Sequence, residues 1–105
     1  LAVVDEQDQR LYESELHRLQ GRLLWAQAAP DTVVEACFRR AVDVAQTQEA
    51  KLLEVRAATA LALLLQRQGR NAEAHDTLVG LVAWFSEGAA TTDLRHARTV
   101  LAGLA

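Results

Sequence analysis

The chain has 105 residues, half of them hydrophobic, and a formal net charge of −3. That length predicts one domain with a real core, and the apolar fraction excludes a disordered chain. Ten arginines and one lysine against fourteen acidic residues leave no basic field for nucleic acid, and the single Cys37 excludes an internal disulfide and fits a reducing, cytoplasmic compartment.

Alanine and leucine dominate, and there is one proline, Pro30. This composition favours helix over sheet. No apolar run approaches the roughly 20 residues of a membrane span; the longest is Ala60 to Leu65. No membrane association is expected, and no signal-peptide pattern opens the chain. The start at Leu1 rather than methionine suggests a segment of a longer protein.

The first helix is expected over residues 5–28. Tyr12, Leu16, Leu19, Leu23 and Ala26 recur at helical spacing and should form its inward stripe. Gly21 lies inside it, where glycine is unfavourable by about 1 kcal/mol against alanine, so a close helix approach is expected there. Pro30 marks a break. The second helix spans 31–47, with Asp31 or Thr32 as its cap and Thr32/Glu35 at capping-box spacing. Its apolar face is Val34, Cys37, Phe38, Ala41 and Ala45.

The central helix runs over 49–68 and is apolar from Ala57 to Leu65 except at Thr59. A helix apolar nearly all round is buried on several sides, so this one should be the middle of a stack. Gly69 ends it. The fourth helix spans 71–85, with Ala74, Leu78, Leu81, Val82 and Phe85 facing inward. Thr91 caps a fifth, over 91–104, with the stripe Leu94, Ala97, Leu101 and Leu104. The joints are short, which makes consecutive helices antiparallel neighbours.

Helices one and two match helices three and four. Val34, Phe38 and Ala41 precede Ala74, Leu78 and Leu81 by 40 residues each, and Gly21 and Leu24 precede Ala62 and Leu65 by 41. Such a period signals stacked repeats. The units are 5–47 and 49–86, with 91–104 as a capping helix or the opening of a third.

The set Gly21, Leu24, Val34, Phe38, Ala41, then Ala62, Leu65, Gly69, Ala74, Leu78, Leu81 resembles tetratricopeptide repeats. The period is longer than the usual 34 or so, and the closing proline is missing from both units. The resemblance implies an all-α fold of antiparallel helix hairpins stacked as a short right-handed solenoid of about five helices. The runs Glu35-Ala36-Cys37-Phe38-Arg39-Arg40-Ala41, Gly69-Arg70-Asn71-Ala72-Glu73-Ala74, Trp84-Phe85-Ser86-Glu87-Gly88 and Thr92-Asp93-Leu94 are similar to the carboxy-terminal repeats of large bacterial signalling ATPases. Those proteins often carry a class III nucleotide cyclase domain, and related tails occur in ATPase-type transcriptional regulators. Their catalytic residues lie upstream of the tail.

The sequence shows no chemistry of its own. There is no Gly-rich phosphate loop, and His17, His75 and His96 lack partners at metal-ligand spacing. Cys37 sits on an apolar stripe as a small hydrophobe. No catalytic set, cofactor or metal is expected. The expected function is therefore non-catalytic: a module that binds a protein, a peptide or another domain of its own chain. Carrying over the family's groove positions gives Glu15, Arg18, Arg22 and Trp25 in the first unit and Arg56, Thr59, Leu63, Gln66 and Arg67 in the second. Arg18, Arg22 and Arg56 suit an acidic peptide or a carboxylate, and Trp25 an aromatic anchor. A rival reading makes the chain a self-association module, a homodimer through the Trp84–Leu104 end. Trp84-Phe85 is otherwise expected to close over the last helix as a lid.

Overall fold

A computed structural model describes residues 6–85 and 91–104, with side chains described from residue 12 onward. The described residues form five α-helices and no strand: α1 (Glu6–Ala26), α2 (Asp31–Thr47), α3 (Lys51–Arg67), α4 (Asn71–Trp84) and α5 (Thr92–Gly103). Each helix packs on the next in sequence, and α1, α3 and α5 also pack in series, so α3 touches every other helix. The outcome is a flat body of 47 × 37 × 20 Å, thin enough for two helix layers at the usual interaxial spacing. No described helix is long and apolar enough to cross a membrane.

The core follows the central helix. Val55, Ala57, Ala58, Leu61, Ala62, Leu64 and Leu65 of α3 are buried, and Val34 and Phe38 of α2, Ala74 and Leu78 of α4, and Leu94, Ala97 and Val100 of α5 close on them. Alanines on α3 let neighbouring helices approach, while the leucines fill the space between them.

α1 corrects an expectation. Tyr12, Leu16, Leu19 and Leu23 are 64, 65, 48 and 59% exposed, and Ala26 is exposed too. The helix instead meets α2 through small residues. Ser14 is buried and donates its hydroxyl to the Ala41 carbonyl at 2.9 Å. A Cβ on Gly21 would lie 2.6 Å from Cε1 of Phe38. Small residues that permit close approach carry no hydrophobic signal, so the stripe did not reveal the face that α2 covers.

Capping also departs from expectation. α2 begins at Asp31 after Pro30, with no side-chain cap hydrogen bond. The Thr32/Glu35 box does not form, because Pro30 is the N-cap and Thr32 already lies inside the helix, and Glu35 instead accepts from Arg70 and from Arg39, each at 2.8 Å. Those two hydrogen bonds hold the Glu35 carboxyl below the usual glutamate value, against a smaller opposing effect of burial. Arg39 and Arg70 both reach Glu73 as well, so charges tie α2 to α4. Thr91 does cap α5, accepting from the Leu94 amide at 3.2 Å.

The first three joints share one turn. Ala28, Glu49 and Gly69 all have φ near +60 to +77°. In each joint that residue's amide and the next donate back into the helix end: Ala28 to Trp25 and Ala29 to Leu24, Glu49 to Gln46 and Ala50 to Ala45, Gly69 to Gln66 and Arg70 to Leu65, all at 2.8–3.0 Å. This is the Schellman pattern, in which a left-handed residue satisfies the last carbonyls of a helix. Only the third turn has glycine. Glu49 at φ +56° is exposed and strained. Glu49→Gly should therefore stabilise the domain by about 0.5–1 kcal/mol, read as a rise of a few degrees in the thermal midpoint. A lower midpoint would contradict this account of the turn.

Candidate functional site

Helical spacing brings one face of α1, α3 and α5 around a groove. On α1, Arg18, Arg22 and Trp25 follow i, i+4, i+7, and on α3, Arg56, Thr59, Ala60, Leu63 and Arg67 follow i, i+3, i+4, i+7, i+11. Asp93 and His96 of α5 form the far wall, and Phe38 of α2 closes the floor. These residues line a groove of about 710 Å³, within the size range of ligand sites.

An ion-pair chain runs beside it. Arg18 Nε donates to Glu15 Oε2 at 2.7 Å. Arg56 Nη1 donates to the other Glu15 oxygen, while Arg56 Nε and Nη2 donate to the Asp93 carboxylate at 2.9–3.3 Å. One guanidinium thus spans α1, α3 and α5. Burial alone raises the Glu15 carboxyl, but hydrogen bonds and charge from Arg18 and Arg56 outweigh it, and the net shift is downward. Arg56 is pushed upward, first by its hydrogen bonds to Asp93, then by those to Glu15, against a desolvation effect of the opposite sign.

The remaining cations define what the groove offers. Arg22 is exposed and has no ion-pair partner among the described residues. Arg67 lies over the Trp25 ring, its Cζ 5.7 Å from the centroid, a cation–π contact. Trp25 is held edge-on to Phe38, centroids 6.0 Å apart at 69°. Four arginines stand against Glu15 and Asp93, so the groove is cationic in an acidic chain. Half-buried Ala60 and Leu63 supply an apolar strip.

Of the positions named from sequence, Arg18, Arg22, Trp25, Arg56, Thr59, Leu63 and Arg67 line the groove, and Glu15 stands behind it as the shared acceptor. Thr59 is 4% exposed and donates its hydroxyl to Val55 O at 2.7 Å, so its proton is already committed. Gln66 is not in the lining; its amide nitrogen reaches toward Gly103 on α5. Sequence reasoning missed Asp93 and His96. They follow Arg56 and Thr59 by 37 residues each, short of the 40–41-residue spacing that relates the first two units, so the repeat did not point to them.

Elsewhere, Trp84 and Phe85 stand edge to face, centroids 4.9 Å apart, but differ in burial. Phe85 packs against the core, while Trp84 is 62% exposed beneath Lys51 Nζ at 5.4 Å, so only Phe85 acts as a lid. Ser86 and the rest of the 86–90 turn lie outside the described residues. No group of three or more metal-ligating side chains occurs among the described residues, and Cys37 is half-buried beside Gly21. Comparison with known proteins finds no matching family model, no matching characterised protein and no matching solved structure.

Proposed function

We propose that this chain is a non-catalytic interaction module of the tetratricopeptide-like kind, whose α1–α3–α5 groove takes an acidic peptide segment. The observation that carries the reading is the cationic groove itself. Arg22 and Arg67 have no ion-pair partner among the described residues, and they line the groove together with the Trp25 ring and an apolar strip. Carboxylates suit planar guanidinium forks, and a neighbouring apolar side chain of the peptide suits Ala60 and Leu63. The series contact of α1, α3 and α5, with α2 and α4 behind, supports the stacked-hairpin reading, in which the first helix of each unit lines one face. In a longer chain of the signalling-ATPase type that the sequence resembles, the acidic segment would belong to a partner or to another domain of the same protein. Its capture would bias turnover there.

The test uses Trp25 as reporter in a Trp84→Phe background. A peptide of alternating glutamate and leucine should change the Trp25 emission, with an affinity that weakens as salt rises. A lysine–leucine peptide of equal length should not. Replacing Arg18, Arg22 and Trp25 together should leave the circular dichroism intact and lower binding at least tenfold, or about 1.4 kcal/mol, followed in that variant by an end-labelled peptide. Equal responses to acidic and basic peptides, or none at millimolar peptide, would remove the groove from consideration.

A further inference from the structure

The exposed apolar face of α1 is unusual for a folded domain. Tyr12, Leu16, Leu19 and Leu23 are each about half to two-thirds exposed, and they lie on the side of the helix turned away from Ser14 and Gly21, which pack on α2. Together they present roughly 450 Å² of apolar surface, within the range of the largest patches on monomers, which often mark interaction sites. Their spacing alternates four, three and four residues. That alternation is the a/d pattern by which two helices interdigitate side chains along a shared seam.

We propose that this face pairs with the same face of a second copy, as an antiparallel α1–α1 seam about a two-fold axis. The spacing is palindromic. Reversing one helix about a point between Leu16 and Leu19 sets Tyr12 against Leu23 and Leu16 against Leu19, so every large side chain meets another. A two-fold interface requires this self-complementarity. The flanks agree in charge. In an antiparallel pair each flank meets the equivalent flank of the other helix. Arg22 of one copy then comes level with Glu15 of the other to within two residues, and Glu13 meets Gln20. No like charges are opposed. With Glu13, Gln20 and Arg22 covered as well, the buried surface approaches the roughly 800 Å² per partner of a standard interface. The opposite end of the domain is a poorer candidate, because Leu94, Ala97, Val100 and Leu104 are buried there, and within 84–104 Trp84 is the one large apolar side chain that is exposed among the described residues. The seam borders the groove at Arg22, which lines it, and at Glu15, which accepts from Arg18 and Arg56, but Tyr12, Leu16, Leu19 and Leu23, which carry the seam, are not among the groove's lining residues.

Sedimentation of the 105-residue chain over about 1–500 μM should show a mass moving from 11.5 kDa toward twice that value, with a Kd in the micromolar range. Leu16→Glu with Leu19→Glu should hold the chain monomeric at every concentration with unchanged helicity, and Leu16→Gln with Leu19→Gln should weaken association at least tenfold. Trp84→Ala should leave it unaltered. In a Cys37→Ser background, Glu13→Cys with Gln20→Cys should give disulfides joining position 13 of one copy to position 20 of the other. A chain that remains monomeric throughout overturns the proposal and leaves the face to a different partner. A dimer that survives the Leu16/Leu19 changes but not Trp84→Ala, or cross-links joining 13 to 13, overturns it equally.

Discussion

Leu61→Asp is expected to abolish folding. Leu61 is 2% exposed at the middle of α3, the helix that touches all four others. The change removes an apolar side chain whose burial contributes about 1.5–3 kcal/mol and puts a carboxyl in its place. Burying that group costs several kcal/mol more, whether it ionises unpaired or takes up a proton. The sum is comparable with the whole stability of a small domain, roughly 5–15 kcal/mol. Circular dichroism should show loss of helix and of the cooperative thermal transition, while Leu61→Met, which keeps volume and polarity, should melt within a few degrees of the parent. A cooperative transition in the aspartate variant near the parent's would mean that α3 is not the centre of the core.

The second large effect is expected at Gly21. Helix propensity alone favours replacing a mid-helix glycine, by up to about 1 kcal/mol for alanine. The packing opposes it. An added Cβ would stand 2.6 and 2.8 Å from Phe38 Cε1 and Cδ1 and 3.1 Å from Cys37 Cβ. Phe38 is fully buried with Trp25 against its ring, so it has little room to retreat. Overpacking of this kind costs typically 1–3 kcal/mol and more for branched side chains. Gly21→Val should therefore lower stability by about 3 kcal/mol in urea titration. Gly21→Ala should lose less. Combining Gly21→Ala with Phe38→Leu should destabilise by less than the two separate losses together, since the smaller side chain vacates the contested space. A Gly21→Ala domain more stable than the parent would show that α1 and α2 do not meet this closely.

The helices were legible because their signals are local. α2 begins and ends where its periodicity and Pro30 place it, and Gly69 and Thr91 sit at the turn and cap that their chemistry implies. The buried faces of α2, α4 and α5 follow the same logic, with Val100 the buried residue that the stripe passed over. What failed is what depends on partners. Periodicity in α1 shows that Tyr12, Leu16, Leu19 and Leu23 share a face but cannot say which body lies against it. The α1–α2 contact was visible only through Gly21. Thr32 and Glu35 had capping-box spacing, yet Pro30 is the N-cap, and Glu35 accepts from Arg39 and Arg70, one of them 35 residues away. The far wall of the groove was hidden for the same reason, as the Arg56–Asp93 bridge is set by how helices stack and not by neighbours in sequence.

The contact order of the helices also sets how the domain holds together. α3 is bound on all sides, whereas among the described residues α5 leans only on α3 and α4, and α1 only on α2 and α3. Stability built from such neighbour couplings is graded and not uniform. The ends can loosen while the centre stays closed. Both walls of the groove, α1 and α5, belong to those ends, and the Arg56 guanidinium bridges the two of them from the central helix.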